Sequence, residues 1–506
     1  MGNLTIRNLT ITPLELKDVE RIPAEPKKLN GIAKIKLRLP GRRNKQLDGS
    51  ASATALNGEG SDSSPGKYDV SNVAITPFSE TVTSIPAPAL ESESLGLTFI
   101  EPGSPTQYTT TIPGPSLGSV VMKSSNGEGG DSDKEFTIIY LPTSSFLSIF
   151  SSAQLNKWMS KLPCAYPLSS LSIPGTHNSP TCFKALPSVR CQAVPVRTQL
   201  ENGVRFLDIR VSCSPPPSSA SYNCTDCPDE ETTNLPLVHS AFPISLSGTK
   251  YLHDLLDEVY SFLDTNPTET ILISLKREGT GKGTDHDLSR YLATRYFGLS
   301  GTDETDDTAR KRWYTHPGIP TLGTVRGKCV LIRRFNIDPT ASAEWHDGAG
   351  LGIDGSSWPD NVADGLCGSG LIRIQDFYEV GKTNNIATKI VYVQEGLSRS
   401  AQQVFTAPDA PGGTSAGGYL PLYINFLSAS NFFNASLWPE KIAAKLNPAI
   451  TEHLCIGHGA PGKGPGGLSV GDASTGIVVT DWVGRDGDWD LIRCIVGWNA
   501  RLQLKQ

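Results

Sequence analysis

Eight short apolar runs, each closed by a polar residue, organise the chain from about Leu171 onward. They read SLSIPG, VRFLDIRV, LPLVHS, TILISLKR, CVLIRRF, LIRIQDF, LPLYINFL and GIVVTDW. Continuous rather than alternating hydrophobicity is what a parallel strand buried on both faces requires. Parallel strands need crossovers, and one intervening segment has clear helical spacing: Leu252, Leu255, Leu256, Val259, Phe262 and Leu263, with Pro267 just beyond. Eight such strands predict an α/β fold, a (β/α)8 TIM-like barrel that is irregular or incompletely closed.

The first part of the chain has a different texture. NLTIRNLTIT, IAKIKLRL, NVAITPF, LGLTFI, YTTTI and EFTIIYL are short β-type runs separated by turn-rich polar stretches. We therefore expect an amino-terminal all-β module over residues 1–140 and the barrel over 141–506. The stretches at about 41–67 and 124–134 are too polar to bury their own cost of ordering and are expected as loops.

A net charge of -6 and a pI near 5.8 exclude a generic polyanion binder, so no nucleic-acid partner is expected. Met1 to Thr10 lacks the basic start and apolar core of a secretory signal, and no apolar run is long enough to span a bilayer. Ile6 stands where a myristoylation signal wants Ser or Thr. The expected setting is soluble and cytoplasmic, with peripheral membrane contact. Accordingly the sequons at Asn3, Asn8, Asn223 and Asn434 are read as chance. Cys329 and Cys494 lie in apolar stretches and read as buried thiols, while Cys224 and Cys227, without a second pair at zinc-ribbon spacing, read as surface loop.

In a barrel, chemistry sits at the carboxyl ends of the strands. The polar residues ending the eight runs are His177, Arg210, His239, Lys276, Arg333, Asp376, Asn425 and Asp481. Pro174 and Gly175 are expected to end the first strand and free the His177 imidazole. Asp208 shares a face with Arg210 at two-residue spacing, which by itself suits a surface salt bridge. Each histidine taken singly is more often structural. Together, two imidazoles and a guanidinium meet the needs of phosphodiester cleavage by a base and an acid flanking a held phosphate.

The ordered set PGTHNS, VRFLDIR, LVHS, TETILISLKRE, RIQDFY, YINFLSAS and VVTDW resembles the catalytic domain of the bacterial-type, metal-independent phosphatidylinositol-specific phospholipases C. The resemblance runs from about Leu162 to Asn499, with one polar insertion at Ser212 to Asn234. It implies that His177 removes the proton of the inositol 2-hydroxyl and that His239 protonates the departing diacylglycerol. It implies that Asp481 orients His177, that Arg210 binds the phosphate oxygens with Asp208 and Asn178 beside it, and that Lys276, Arg333, Asp376 and Tyr378 face the inositol. No cofactor is expected. A guanidinium at position 210, where calcium-using relatives carry an acidic ligand, implies that no metal is needed; Asn178 is the one departure, since bacterial members carry Asp there. The expected partner is a phosphatidylinositol-type lipid at a membrane surface.

Trp345 and Trp358 are placed by the sequence in a long Gly- and Ser-rich segment and suit either interfacial contact or lid packing. The rival readings are a glycerophosphodiesterase of related barrel form, and a catalytically weak phosphoinositide-binding scaffold.

Overall fold

The computed structural model describes residues 2–23, 67–68, 72–89, 92–114, 118–122, 124, 134–152, 154–186, 188–215, 235–299, 311–343, 345–406, 420–460 and 470–505. Cys224, Cys227 and most of the loops expected at 41–67 and 124–134 lie outside the described residues.

Seven of the eight predicted runs join one parallel sheet, in the spatial order Cys329–Arg334, Ile271–Arg277, Phe206–Val211, Ile173–Thr176, Ile477–Thr480, Leu422–Phe426 and Ile372–Gln375. Trp313–Tyr314 and Ile353–Asp354 extend it in parallel beside Cys329–Arg334, and Gly365–Leu366 pairs antiparallel with Ile372–Gln375. Among the described residues these two ends are not hydrogen-bonded to one another, so the sheet curls without closing. The strands earn their place by burial on both faces: every residue of Ile477–Thr480, and Ile271 to Leu275, is buried.

LPLVHS is the run that departs from expectation. Among the described residues, Val238–His239 pairs with Phe242–Pro243 in a separate hairpin, which an isolated bridge from Leu237 to Val211 ties to the curled sheet. His239 thus comes from a hairpin standing over the sheet. Pro174 and Gly175 also lie within the first strand rather than ending it. Glycine is needed there because a Cβ at position 175 would meet the Phe206 ring at 2.9 Å, a separation carbon atoms do not tolerate.

The helix Leu252–Thr265 buries the six apolar residues that its spacing picked out, and packs against the helix Val196–Glu201. The helices Asn384–Ala401, Pro439–Ile456 and Asp490–Trp498 cover the other side. Cys329 and Cys494 are buried thiols, as their apolar surroundings implied.

Before Gln154, the described residues form two five-stranded sheets. One runs Ser79–Pro86, Asn3–Leu9, Phe146–Ser152, Glu135–Leu141 and Val120–Met122; the other centres on Leu14–Pro23 and Glu93–Ile100. Period-two alternation decides which side chains face inward: Leu95, Leu97 and Phe99 share one core with Leu4, Ile6, Tyr108 and Phe136. The outer face of the first sheet lies on the carboxy-terminal helices, where Leu9, Ile139 and Phe150 join Leu491, Ile495 and Trp498. Buried Arg7 donates to the carbonyls of Cys455, in the last turn of its helix, and of His458, just beyond it, at 2.9 Å each.

Candidate active site

His177, His239 and Asp481 are each followed by a residue in the left-handed region: Asn178 at φ 43°, Ser240 at 54° and Trp482 at 53°. Non-glycine residues pay about 1–3 kcal/mol for such a conformation, and its recurrence after three polar residues marks a site that the surrounding structure over-determines. The over-determination is visible around Asn178. Its backbone N–H donates to Oδ2 of Asp208 at 3.1 Å, the next N–H donates to the Asp208 carbonyl at 3.0 Å, and Oγ1 of Thr181 donates back to its carbonyl at 2.6 Å. Gln192 closes the turn from the other side by donating to the carbonyls of both His177 and Thr480.

Nδ1 of His177 lies 2.9 Å from Oδ1 of Asp481, whose side chain is almost fully buried. Burial opposes the imidazolium, but Asp481 and Cys191 outweigh it and hold the His177 pKa above the ordinary 6.5. On the other side, the Asn178 amide donates to Nε2 at 3.0 Å, which agrees with a neutral ring carrying its proton on Nδ1. His239 is arranged alike: its Nδ1 is 2.8 Å from the Val189 carbonyl, so Nε2 is the free nitrogen. The two rings stand edge to face with centroids 5.9 Å apart.

Asp208 is fully buried, not half of a surface pair. It accepts from Nε and Nη2 of Arg210 at 3.3 and 3.2 Å and from Arg334 at 3.4 Å. Burial raises the cost of its charge, yet the two guanidinium groups more than repay it and its pKa falls well below the usual carboxylate range. Arg210 also donates to Glu278 at 3.0 Å, and Lys276 reaches the same carboxylate oxygen at 2.7 Å. Burial works against the charge on Arg210, but Asp208 and Glu278 hold its pKa above the ordinary arginine value. The cation is fixed in place from two sides.

Cross-strand register explains which residues share this row. Arg210 pairs with Lys276, and Lys276 with Arg334, so three cations line up across three neighbouring strands. Arg333 does not belong to the row. Its guanidinium turns the other way, donating to the carbonyls of Leu351 and Phe335 and pairing with Asp354 at 2.8 Å. Arg334 takes the place expected for it, stacked 3.8 Å over the Trp358 ring. Trp358 in turn donates to Asp376 at 3.0 Å. Asp376 therefore stands at the site, whereas the Tyr378 hydroxyl is engaged with Asp360 at 2.7 Å. Asn425 is buried and internal, accepting from Gln375 and donating to the Val393 carbonyl. Neither tryptophan offers a free face to a membrane: Trp345 is buried and Trp358 lies beneath Arg334.

Three residues at the site were not picked out from the sequence. Glu278 follows Lys276 at the two-residue spacing that puts side chains on one strand face, a signal that was available. Arg334 was indistinguishable from its neighbour. Cys191 lies in an irregular segment with no pattern to announce it, yet its Sγ is 3.8 Å from Nδ1 of His239 and 3.9 Å from the Asn178 amide. Burial pushes this thiol up, but His239 and His177 prevail and bring it down to about 7.

Residues 164–335 match the family model described as phosphatidylinositol-specific phospholipase C, X domain. Among curated proteins, the 1-phosphatidylinositol phosphodiesterase of Listeria monocytogenes is 31% identical over 190 residues, 36% of this chain and 50% of that protein. This chain thus spans about half the length of that relative. The enzyme of the same name from Staphylococcus aureus strain Newman is 26% identical over 349 residues, 65% of this chain and 88% of that protein. Among solved structures, phosphatidylinositol-specific phospholipase C from Listeria monocytogenes superposes with a TM-score of 0.45 at 20% identity, covering 69% of this chain and 99% of that one.

Proposed function

We propose that this chain, which carries the X domain of the phosphatidylinositol-specific phospholipases C at residues 164–335, cleaves phosphatidylinositol to diacylglycerol and inositol 1,2-cyclic phosphate. The observation that carries the reading is the pair of imidazoles 5.9 Å apart, each held on its Nδ1 side by an acceptor, with Nε2 of His177 met by the Asn178 amide, which the inositol hydroxyl displaces. Nε2 of His177 takes the proton from the inositol 2-hydroxyl, whose oxygen attacks phosphorus. The bond from phosphorus to the glycerol oxygen breaks, and His239 in its protonated form delivers a proton to that oxygen. General acid and base catalysis of this kind is worth about 100 to 10,000-fold.

Arg210, with Lys276 and Arg334 in the same row, neutralises the charge that accumulates on the phosphate oxygens. Asp208 and Glu278 hold these cations and do not touch the substrate. Their carboxylates are engaged with three cationic side chains, which leaves the reaction to proceed without calcium or another resident metal. Asp376 recognises an inositol hydroxyl. Asn178 orients the Nε2 edge of His177 in place of a charged partner.

We read the curled sheet as an irregular, incompletely closed (β/α)8 barrel with a β-rich amino-terminal part ahead of it, the strand Phe146–Ser152 included. No helix of the described residues is long and apolar enough to cross a membrane. The lipid is met peripherally through Phe242 of the hairpin after His239, which stacks on Phe432, and through Phe433, which meets Phe432 edge to face on the loop after the Leu422–Phe426 strand. Phe433 is 96% exposed, an arrangement that water disfavours and a lipid surface rewards.

Phosphorus NMR of the purified protein with phosphatidylinositol vesicles, with and without a calcium chelator, tests the reading. A cyclic phosphate resonance that persists under chelation is expected. No product from phosphatidylinositol or from its glycosylated and phosphorylated forms would refute it.

A further inference from the structure

Cys191 plays no part in the proton transfers described above, yet it is placed against both groups that perform them. One ligand atom each from His177, Cys191 and His239 lie within 4.8 Å of one another, and Cys191 is fully buried beneath the two rings. We propose that these three side chains form a binding site for a thiophilic divalent cation of the zinc class, and that its occupancy closes the active site.

The donor set determines the class of ion. Two imidazoles and one thiolate suit zinc and its heavier congener cadmium, while calcium and magnesium take oxygen ligands. The outer contacts are those a metal-binding histidine uses. His177 gives its Nδ1 to the carboxylate of Asp481, which holds the tautomer that offers Nε2, whereas Nδ1 of His239 lies both 3.8 Å from Sγ of Cys191 and 2.8 Å from the Val189 carbonyl, so this ring turns to offer a nitrogen to the ion. In a tetrahedral zinc site the ligand atoms stand about 3.3–3.8 Å apart, so a closure of roughly 1 Å by side-chain rotation completes the geometry.

The buried Oδ1 of Asn178 has no hydrogen-bond partner, while the same amide lies beside Nε2 of His177 and Sγ of Cys191. A half-turn of that amide presents an oxygen to the ion; otherwise water fills the open position. Binding displaces the thiol proton to solvent and engages both imidazoles that the proposed reaction uses, so the metal-loaded protein lacks both base and acid. Asp208 and Glu278 hold Arg210 and offset part of the positive charge of the row it belongs to.

Cadmium chloride titrated into the full-length, metal-stripped protein reads binding through the ultraviolet thiolate-to-cadmium charge-transfer band, independently of turnover. Repeating the titration on the folded Cys191→Ser protein reads whether the band belongs to Cys191. We expect a one-equivalent band that is lost in Cys191→Ser, and at least about tenfold loss of phosphatidylinositol cleavage in zinc that a chelator reverses. Cys191→Ser and Cys191→Ala, each compared with its own metal-free rate, should raise the half-inhibitory zinc concentration by about tenfold or more.

The absence of any cadmium band in the wild-type protein overturns the proposal, as does an undiminished band and inhibition in the folded Cys191→Ser protein. The inhibitory half rests on the proposed activity. A protein that binds cadmium at Cys191 but cleaves no lipid refutes that activity and leaves the metal site standing.

Discussion

Asp481 stands 2.9 Å from Nδ1 of His177, on the strand hydrogen-bonded beside the one that delivers the histidine. Burial lowers the imidazole pKa and this carboxylate raises it, the carboxylate prevailing together with Cys191. Because the base must be neutral to act, kcat/KM rises with pH through the His177 pKa. In Asp481→Asn the burial effect remains and the carboxylate's raising effect goes, leaving that of Cys191, so the acid limb of the profile should move to lower pH while the maximal rate falls by about 100-fold or more. The stability contribution of the pair has the opposite dependence. It is complete below the unfolded value of 6.5 and is lost as pH climbs through the raised folded value, so the stability difference between wild type and Asp481→Asn should shrink on the alkaline side. Rate profiles and denaturant unfolding across pH measure the two.

His239→Ala should abolish cleavage of phosphatidylinositol while the protein stays folded, because His239 sits on a hairpin outside the main sheet. A substrate analogue whose leaving group needs no protonation should recover most of the rate. Unchanged turnover of the natural lipid would remove His239 from the role of acid.

Arg210→Lys keeps the charge but loses the fork that spans Asp208 and Glu278. Turnover should drop by about 100 to 1,000-fold, the loss seen when a preorganised oxyanion donor is removed. Single-turnover kinetics will show whether the loss lies in chemistry rather than in lipid binding.

Arg334 and Arg333 make a matched pair of tests. Arg334→Met should cut catalytic efficiency per folded molecule by about tenfold or more, with some loss of stability because buried Asp208 keeps one guanidinium fewer. Arg333→Met should leave the Leu351 and Phe335 carbonyls without this donor and Asp354 without its cation, costing roughly 1–3 kcal/mol of stability, with the activity per folded molecule kept. If instead Arg333→Met impairs turnover without destabilising the fold, the assignment of the two residues is wrong.

Phe433→Ser should weaken partition onto phosphatidylinositol vesicles by about tenfold, the equivalent of losing part of one phenyl burial. Cleavage of a water-soluble inositol phosphodiester should be unaffected, since the residue projects from the rim. Sedimentation of vesicles measures the first and a soluble assay the second.

Position along a buried strand is legible in a sequence, because continuous hydrophobicity marks the strand and the first polar residue marks its end. That is why His177, Arg210, Lys276, Asp376 and Asp481 are found where the apolar runs stop, and why the helix Leu252–Thr265 matches its spacing residue for residue. Choosing between Arg333 and Arg334 is another matter. Adjacent strand residues point to opposite faces, both are arginine, and only the pairing of Lys276 with Arg334 sets which one joins Arg210. Contacts that cross from irregular chain are equally silent in one dimension. Cys191 reaches the two histidines, and Asp208 serves Asn178, Arg210 and Arg334 together, through separations that no local pattern encodes. The sequence by itself determined which chemical groups gather at the carboxyl ends of the strands; the tertiary structure alone decided which of them touch, because register and loop packing depend on the whole sheet.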